Sequence, residues 1–363
     1  MNILYGISGI GTGHSNRQLP IIEHFSKDSR IAIFCYGESY RIYSELSTKN
    51  KNIIPILVDI PFIAESSNGF DWKETVRINK GKDFNTINSL AILKVEETIG
   101  IPDVVISDYE PLSAQYSYAY DVPLITIDQQ SKYLCGNYPS LNGKTVISEV
   151  MRLRMFLPKA NARIACSFFN VDTSINKHNV TILPPTIKDE ILNLKKKEEN
   201  VILLYISSQS EFVQNLEEVI DVFKLYKKEK FEIFVKDIPI INLPENVSIH
   251  KHGDNNHFYE TLSKSKAIIS TAGHTLLSEA MYLGIPVYAV PLSVYEQHMN
   301  ANVLEKNGFG ISRKKIEKES LDYFLQNLLR FKTNIMTDKE ILLRRSGKEE
   351  IIKLIEQIAR GEK

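Results

Sequence analysis

The sequence predicts an α/β protein of two domains, each a largely parallel sheet covered by helices on both faces. Three observations carry that prediction. The chain has 363 residues, more than one hydrophobic core usually serves. Short apolar runs alternate with amphipathic segments long enough to be helices, the rhythm of strand–helix–strand units. That rhythm stops at a proline- and lysine-rich stretch and starts again beyond it.

In the first half, NILYGIS (from Asn2), IAIFCYG (from Ile31), IIPILV (from Ile53), DVVISD (from Asp103), PLITID (from Pro123) and ARIACSF (from Ala162) read as buried strands. ILPPTIKDE and the charged LKKKEEN (Leu194 to Asn200) follow. Two prolines disfavour regular structure and the charges need water, so this stretch reads as the linker. The second series is VILLYISS (from Val201), FEIFVKD (from Phe231), NVSIHKHG (from Asn246), AIISTAGH (from Ala267) and PVYAVPL (from Pro286), followed by a polar loop, YEQHMNA. After Gly310 the pattern becomes helical. The expected division is residues 1–190, residues 197–340 and a final segment, 341–363. That last segment carries KEEIIKLIEQIARG, whose isoleucines and leucine fall at helical spacing and can pack one face back on the first domain. Phe62 to Lys94, with the only tryptophan, Trp72, follows neither series and reads as an insertion or a lid.

Composition narrows the function. The chain is 43% hydrophobic and 24% charged, with 44 basic and 44 acidic residues and a formal net charge of zero, which gives no support to nucleic acid as a partner. The three cysteines, Cys35, Cys135 and Cys166, are far apart and form no metal or disulfide pattern, as suits a reducing compartment. The first apolar run is soon broken by glycine, serine and His14, so no secretory leader is read, and no apolar run reaches membrane-spanning length. The expectation is a cytoplasmic protein, with peripheral contact on the inner face of a membrane left open.

Two glycine–histidine stretches carry the chemistry. GISGIGTGHSNR puts Gly9, Gly11 and Gly13 ahead of His14 at the end of the first strand. A dinucleotide fingerprint would be GxGxxG with an acid after the second strand; here the spacing is wrong, and Glu38 is the only acid on offer there. The other reading uses His14 itself: the start of a helix disfavours imidazolium, which keeps the ring able to accept a proton. The second stretch, AIISTAGHTLLSEAMYLGIPVYAVPLSVYEQHMNANVLEKNGFG, turns at Thr271, Ala272 and Gly273 and enters a helix through Glu279 and Met281. Backbone N–H groups at such a turn suit a phosphate.

On these residues the chain resembles nucleotide-sugar glycosyltransferases of the GT-B fold, near the MurG-like and UDP-glucuronosyltransferase-like families. GTGH is similar to their acceptor-side loop, with Gly11, Thr12 and Gly13; STAGHTLLSEAMYLGIPVYAVP resembles their donor signature; EQHMNA resembles their acidic-glutamine motif followed by an asparagine. The resemblance implies two Rossmann-like domains facing a central cleft. It implies that Gly273, His274 and Thr275 meet the donor diphosphate, Glu279 the ribose, Glu296 and Gln297 the transferred sugar. Ser207, Ser208 and Gln209 match the small-residue loop after the first donor-domain strand, and His250 to Gly253, with His252, would lie near the base. No tryptophan is present in that domain to stack on a base. His14 matches the catalytic base, and Asp108 the aspartate that orients it.

The function so implied is inverting transfer from a nucleotide-sugar, a UDP-sugar first, to a hydroxyl of a small-molecule, glycan or lipid acceptor. The nucleotide-sugar is a co-substrate; no cofactor and no metal are called for, and no histidine–carboxylate cluster or DxD pair is read from the sequence. A UDP-sugar 2-epimerase, with Glu110 or Glu296 as acids, shares the architecture. A non-catalytic nucleotide-sugar-binding protein is the other alternative, and an NAD-linked oxidoreductase is disfavoured by the poor fingerprint.

Overall fold

The structure, a computed structural model, describes residues 1–66, 69–339 and 342–362. It divides into two compact units, Met1–Lys188 with Ser346–Lys363, and Asp189–Arg345.

In the first unit, strands and helices alternate as β1 (Asn2–Ile7), α1 (Gly13–Phe25), β2 (Arg30–Cys35), α2 (Gly37–Lys49) and β3 (Ile53–Leu57). A two-residue antiparallel pair, β4 (Glu65–Ser66) and β5 (Gly69–Phe70), leads into α3 (Trp72–Asn79) and α4 (Phe84–Ile99). Of the segment Phe62–Lys94, residues 67 and 68 lie outside the described residues. The alternation resumes with β6 (Val104–Asp108), α5 (Pro111–Tyr120), β7 (Leu124–Asp128), α6 (Ile147–Phe156), β8 (Ala162–Cys166) and β9 (Val180–Leu183).

The seven main strands form one parallel sheet in the order β3-β2-β1-β6-β7-β8-β9. Their side chains are buried on both faces because helices cover both; Ile3, Tyr5 and Ile7 enter one apolar layer and Leu4 the other. The sequence reading omitted β9. It is a sheet-edge strand of four residues, VTIL, in which only Val180 is buried, so it lacks the apolar run that marks the others.

The second unit opens with α7 (Asp189–Leu192) and continues as β10 (Val201–Tyr205), α8 (Leu216–Phe223), β11 (Lys230–Val235), β12 (Val247–Lys251), α9 (Asn255–Lys264), β13 (Ser265–Ser270), α10 (His274–Leu283), β14 (Val287–Ala289), α11 (Tyr295–Lys306), β15 (Gly310–Ser312), α12 (Lys318–Gln326) and α13 (Leu328–Thr337). Its six strands are parallel in the order β12-β11-β10-β13-β14-β15. Two readings are corrected here. YEQHMNA is not a loop but the first turns of α11, whose buried face is Tyr295, Asn300, Ala301, Val303 and Leu304; Glu296, Gln297 and His298 are only partly buried. The lysine-rich LKKKEEN is bound into this unit rather than linking two: Lys197 N and Glu199 N donate to Ser263 O and Lys264 O, and Lys196 Nζ donates to Ser265 O.

The last helix, α14 (Lys348–Ala359), returns to the first unit, where Ile351, Ile352 and Ile355 join the core of Ile21, Ile22 and Val104. Ile355 is fully buried, so Ile355→Ala removes its contacts and leaves a cavity. The expected loss is about 2–5 kcal/mol, measured by urea unfolding of the full chain followed by circular dichroism.

Candidate functional site

Both sheets are built outward from the middle, so each has a place where the strand order reverses. In the first unit the chain adds β2 and β3 on one side of β1, then returns to lay β6 on the other. Loops leaving the carboxyl ends of β1 and β6 diverge there and leave a crevice, the place where open parallel sheets hold ligands. His14 lies just beyond β1, in the first turn of α1, and Asp108 is the last residue of β6.

The structure brings them together: His14 Nδ1 is 2.9 Å from Asp108 Oδ1. The sequence reading missed the other two members of the cluster. Arg17 Nε and Nη2 donate to the two Asp108 oxygens at 2.6 Å each, and Arg17 Nη2 is also 2.6 Å from His14 Nδ1. Gln18 Nε2 donates to Asp108 Oδ2 at 2.7 Å and to Ile127 O at 2.8 Å, while its Oε1 accepts from Tyr5 OH. The signal was present in the sequence: positions three and four after His14 share its face of a helix.

Asp108 is fully buried. Burial alone would push its carboxyl up, but Arg17 and His14 outweigh it and hold the group well below the usual carboxylate range. The aspartate therefore stays ionised. An anion on one ring nitrogen fixes the tautomer and frees the other nitrogen to accept a proton. With Nδ1–H donating to Asp108, Arg17 Nη2 spends its hydrogens on Asp108 and Gln130, whose Oε1 is 3.5 Å away.

An aromatic run extends from this histidine. The Tyr109 ring lies parallel to that of His14 at 6.1 Å, Phe156 packs edge-on to Tyr109, and the Arg152 guanidinium covers both Tyr109 and Phe70. Phe70 meets Trp72, which is half exposed. Tyr109 has φ of +61°, an uncommon conformation for a bulky residue and one that gathers at ligand sites.

Glu110 and Glu38 do other work. Glu110 is fully buried and caps α5, its carboxylate accepting from Leu112 N and Ser113 N at 2.8 and 2.7 Å; this removes it from use as an exposed acid. Glu38 lies in the first turn of α2, paired with Arg41. Gly11, with φ of +67°, Thr12 and Gly13 form the turn into α1, and Thr12 makes no side-chain cap.

The second unit repeats the geometry at β10 and β13. Ser207, beyond β10, and Thr271, beyond β13, meet with hydroxyls 2.7 Å apart. Ala272 has φ of +62°, and Asn300 from α11 donates to its carbonyl at 3.0 Å, holding the turn. Gly273 then caps α10 with no side chain, and a Cβ there would meet nothing within 4 Å. The turn thus leaves open space beside the helix start. His274 and Thr275 open the helix, and Glu279 lies one turn further on; His274 and Glu279 are buried.

The remaining expected residues are more dispersed. Glu296 and Gln297 stand in the first turn of α11; Glu296 Oε1 is 3.5 Å from Asn300 Nδ2, and Gln297 Oε1 accepts from Leu292 N. Both ends of the Gln209 amide bond the backbone of Asp237, which makes Gln209 a brace between two loops. Ser208 Oγ is 3.3 Å from Ser210 Oγ. The His252 ring stacks on Tyr205 at 4.6 Å. Among the described residues Glu232, His250 and His257 form a histidine–carboxylate cluster, assembled from three separate elements and so invisible in sequence spacing.

Two parallel-sheet α/β units of this kind are the GT-B architecture. The chain belongs to glycosyl transferase family 1, whose family model matches residues 1–329. Solved structures agree on the fold. The glycotransferase of kitacinnamycin is similar with a TM-score of 0.70 at 14% identity, covering 98% of each chain. The glycosyltransferase VinC in complex with dTDP has a TM-score of 0.66 at 14% identity, over 99% of this chain and 100% of its own. MurG of Acinetobacter baumannii has 0.63 at 14%, over 98% and 99%. No curated protein matches the chain. Among the described residues no helix is long and apolar enough to cross a membrane.

Two stability predictions follow from the buried acids. Burial raises Glu110 to about 7, against the lowering effect of its backbone donors. Its contribution is then fully present below the ordinary carboxylate range and is lost as pH rises through about 7, costing a few kcal/mol. Melting temperature should fall between pH 5 and pH 8, about a unit or more on either side of that value, and the fall should shrink in Glu110→Gln. For Asp108 the sign is reversed, with stability present above the ordinary range and lost only in strong acid. Asp108→Ala removes the carboxylate that pairs with buried Arg17, at a cost of about 3–5 kcal/mol, read by urea unfolding at neutral pH.

Proposed function

We propose that the protein is an inverting glycosyltransferase that moves a sugar from a nucleotide-sugar, a UDP-sugar first, to an acceptor hydroxyl. The observation that carries this reading is that each unit sets its distinctive residues at the reversal point of its own sheet: His14 with Asp108 in one, the Ser207–Thr271–Gly273 turn in the other.

In this reading Nε2 of His14 removes the acceptor proton as the oxygen attacks the anomeric carbon, and Asp108 stabilises the imidazolium so formed. The diphosphate leaves from the opposite face. Its growing charge is met by backbone N–H groups at Gly273, His274 and Thr275 and by the positive end of α10. Glu279 holds the ribose, while Glu296 and Gln297 face the transferred sugar. These protein groups supply the charge stabilisation, so the transfer step is proposed to need no metal at the diphosphate. The aromatic run from Tyr109 to Trp72, with Arg152, supports a partly apolar acceptor near the base. A cytoplasmic enzyme fits, with peripheral membrane contact if that acceptor is a lipid.

Calorimetry with UDP, dTDP, their sugars and NAD, without added metal, tests the donor half. Uridine nucleotide binding that weakens in Glu279→Ala supports it; thymidine preference would correct the base, and NAD binding alone would sink the reading. His14→Ala should then lose about 10²–10⁴-fold in transfer rate while keeping donor affinity. Sugar-nucleotide turnover with no acceptor, yielding an epimer, would instead favour the epimerase.

A further inference from the structure

We propose that Glu232, His250 and His257 form a binding site for one transition-metal ion of the zinc class. None of the three is assigned to the transfer step itself, although β12 leads into the segment His250 to Gly253 expected near the donor base.

Two parallel strands and a helix assemble it. β11 and β12 pair with Glu232 opposite Ser248 and Phe234 opposite His250, so Glu232 and His250 are diagonal neighbours on one face of the sheet. The chain then turns through Gly253, with φ of +108°, into α9. Asp254 caps that helix by accepting from His257 N at 3.0 Å, which fixes His257 in its first turn. The result puts His250 Nε2 2.5 Å from Glu232 Oε2 and 3.3 Å from His257 Nε2. One ligand atom from each of the three side chains lies within 4.8 Å of the others.

The spacing of the two imidazoles is compatible with a metal site. Two imidazole nitrogens bound to one tetrahedral zinc at about 2.0–2.1 Å stand about 3.3–3.4 Å apart, the separation found here. Without an ion, one His250 Nε2–H shared between Glu232 and His257 is the competing hydrogen-bonded arrangement. One cation draws on all three lone pairs at once. Two nitrogens and one carboxylate oxygen suit zinc, whereas magnesium and calcium favour all-oxygen shells. Phe234 lies against both imidazoles, with ring centroids 5.1 and 5.8 Å away, and lowers the local polarity on that side. His250 and Glu232 retain 25% and 20% side-chain exposure, enough for an ion to enter and for water to take the fourth position. The bond between Glu232 and His250 is shorter than a tetrahedral edge, so the carboxylate pivots as the ion enters.

An ion there ties edge strand β12 to α9 and braces the turn that carries His252 against Tyr205.

The test uses the full chain after removal of adventitious metal, titrated with zinc alone by calorimetry and with cobalt(II) alone by visible absorption. The expected result is one equivalent of zinc, a raised melting temperature, and the intense visible bands of four-coordinate cobalt. Zinc affinity should fall at least about 100-fold in His250→Gln and in His257→Gln, since altering even the supporting partners of a metal site costs about 10–100-fold. Absence of saturable binding overturns the proposal, as does binding that survives both substitutions. A cobalt spectrum no different from the hydrated ion overturns it on the unmutated protein, whatever the variants do. No nucleotide is present in these titrations, so their outcome is separate from that of the donor-binding experiments.

Discussion

A parallel sheet laid down from its centre has to reverse direction once, and the loops that leave its two central strands then part company. The arrangement of functional candidates in this chain depends on that constraint. β1 and β6 diverge in the first unit, β10 and β13 in the second, and in each the sequence spends glycines, hydroxyls and a histidine at the parting. In the loop that leaves β6, Glu110 turns its carboxylate inward to cap α5.

The glycines of the opening loop divide by what surrounds them. A Cβ on Gly6 would run into Ser113 and Glu110, and one on Gly9 into the backbone of Tyr36; these two let α5 and the end of β2 approach β1. Gly11 and Gly273 have no such neighbours. Gly11 answers to its positive φ, while Gly273 answers to neither sterics nor dihedral within the protein. A residue without a side chain, at a helix start and facing open space, is what close approach by a ligand requires.

Much of the architecture was legible in the sequence because a buried parallel strand has to be an uninterrupted apolar run. Eleven such runs were readable; β9 and β15 were not, being edge strands of only four and three residues. α11 was misread because its first turn presents Glu296, Gln297 and His298 in succession, and its apolar face becomes evident only further along. His14 and Asp108 could be named because the glycine–histidine stretch and the apolar strand ending in Asp108 match positions that the family resemblance implies. Arg17 was missed although it shares the face of α1 with His14, because its bond to Asp108 joins residues 91 positions apart. The zinc-class cluster was illegible for a related reason. Its ligands come from two strands and a helix, and no short spacing motif joins them.

The return of α14 to the first unit bears on how the protein is made. Ile351, Ile352 and Ile355 fill a core whose other members, such as Ile3 and Ile21, are synthesised long before them. During translation the second unit, Asp189–Arg345, has its whole sequence before the first unit has its own. The strands of the first unit must therefore wait, with an apolar face uncovered, until the ribosome delivers α14. For this chain, order of synthesis and order of completion run in opposite directions, and the interval between them is when a chaperone would find most to hold.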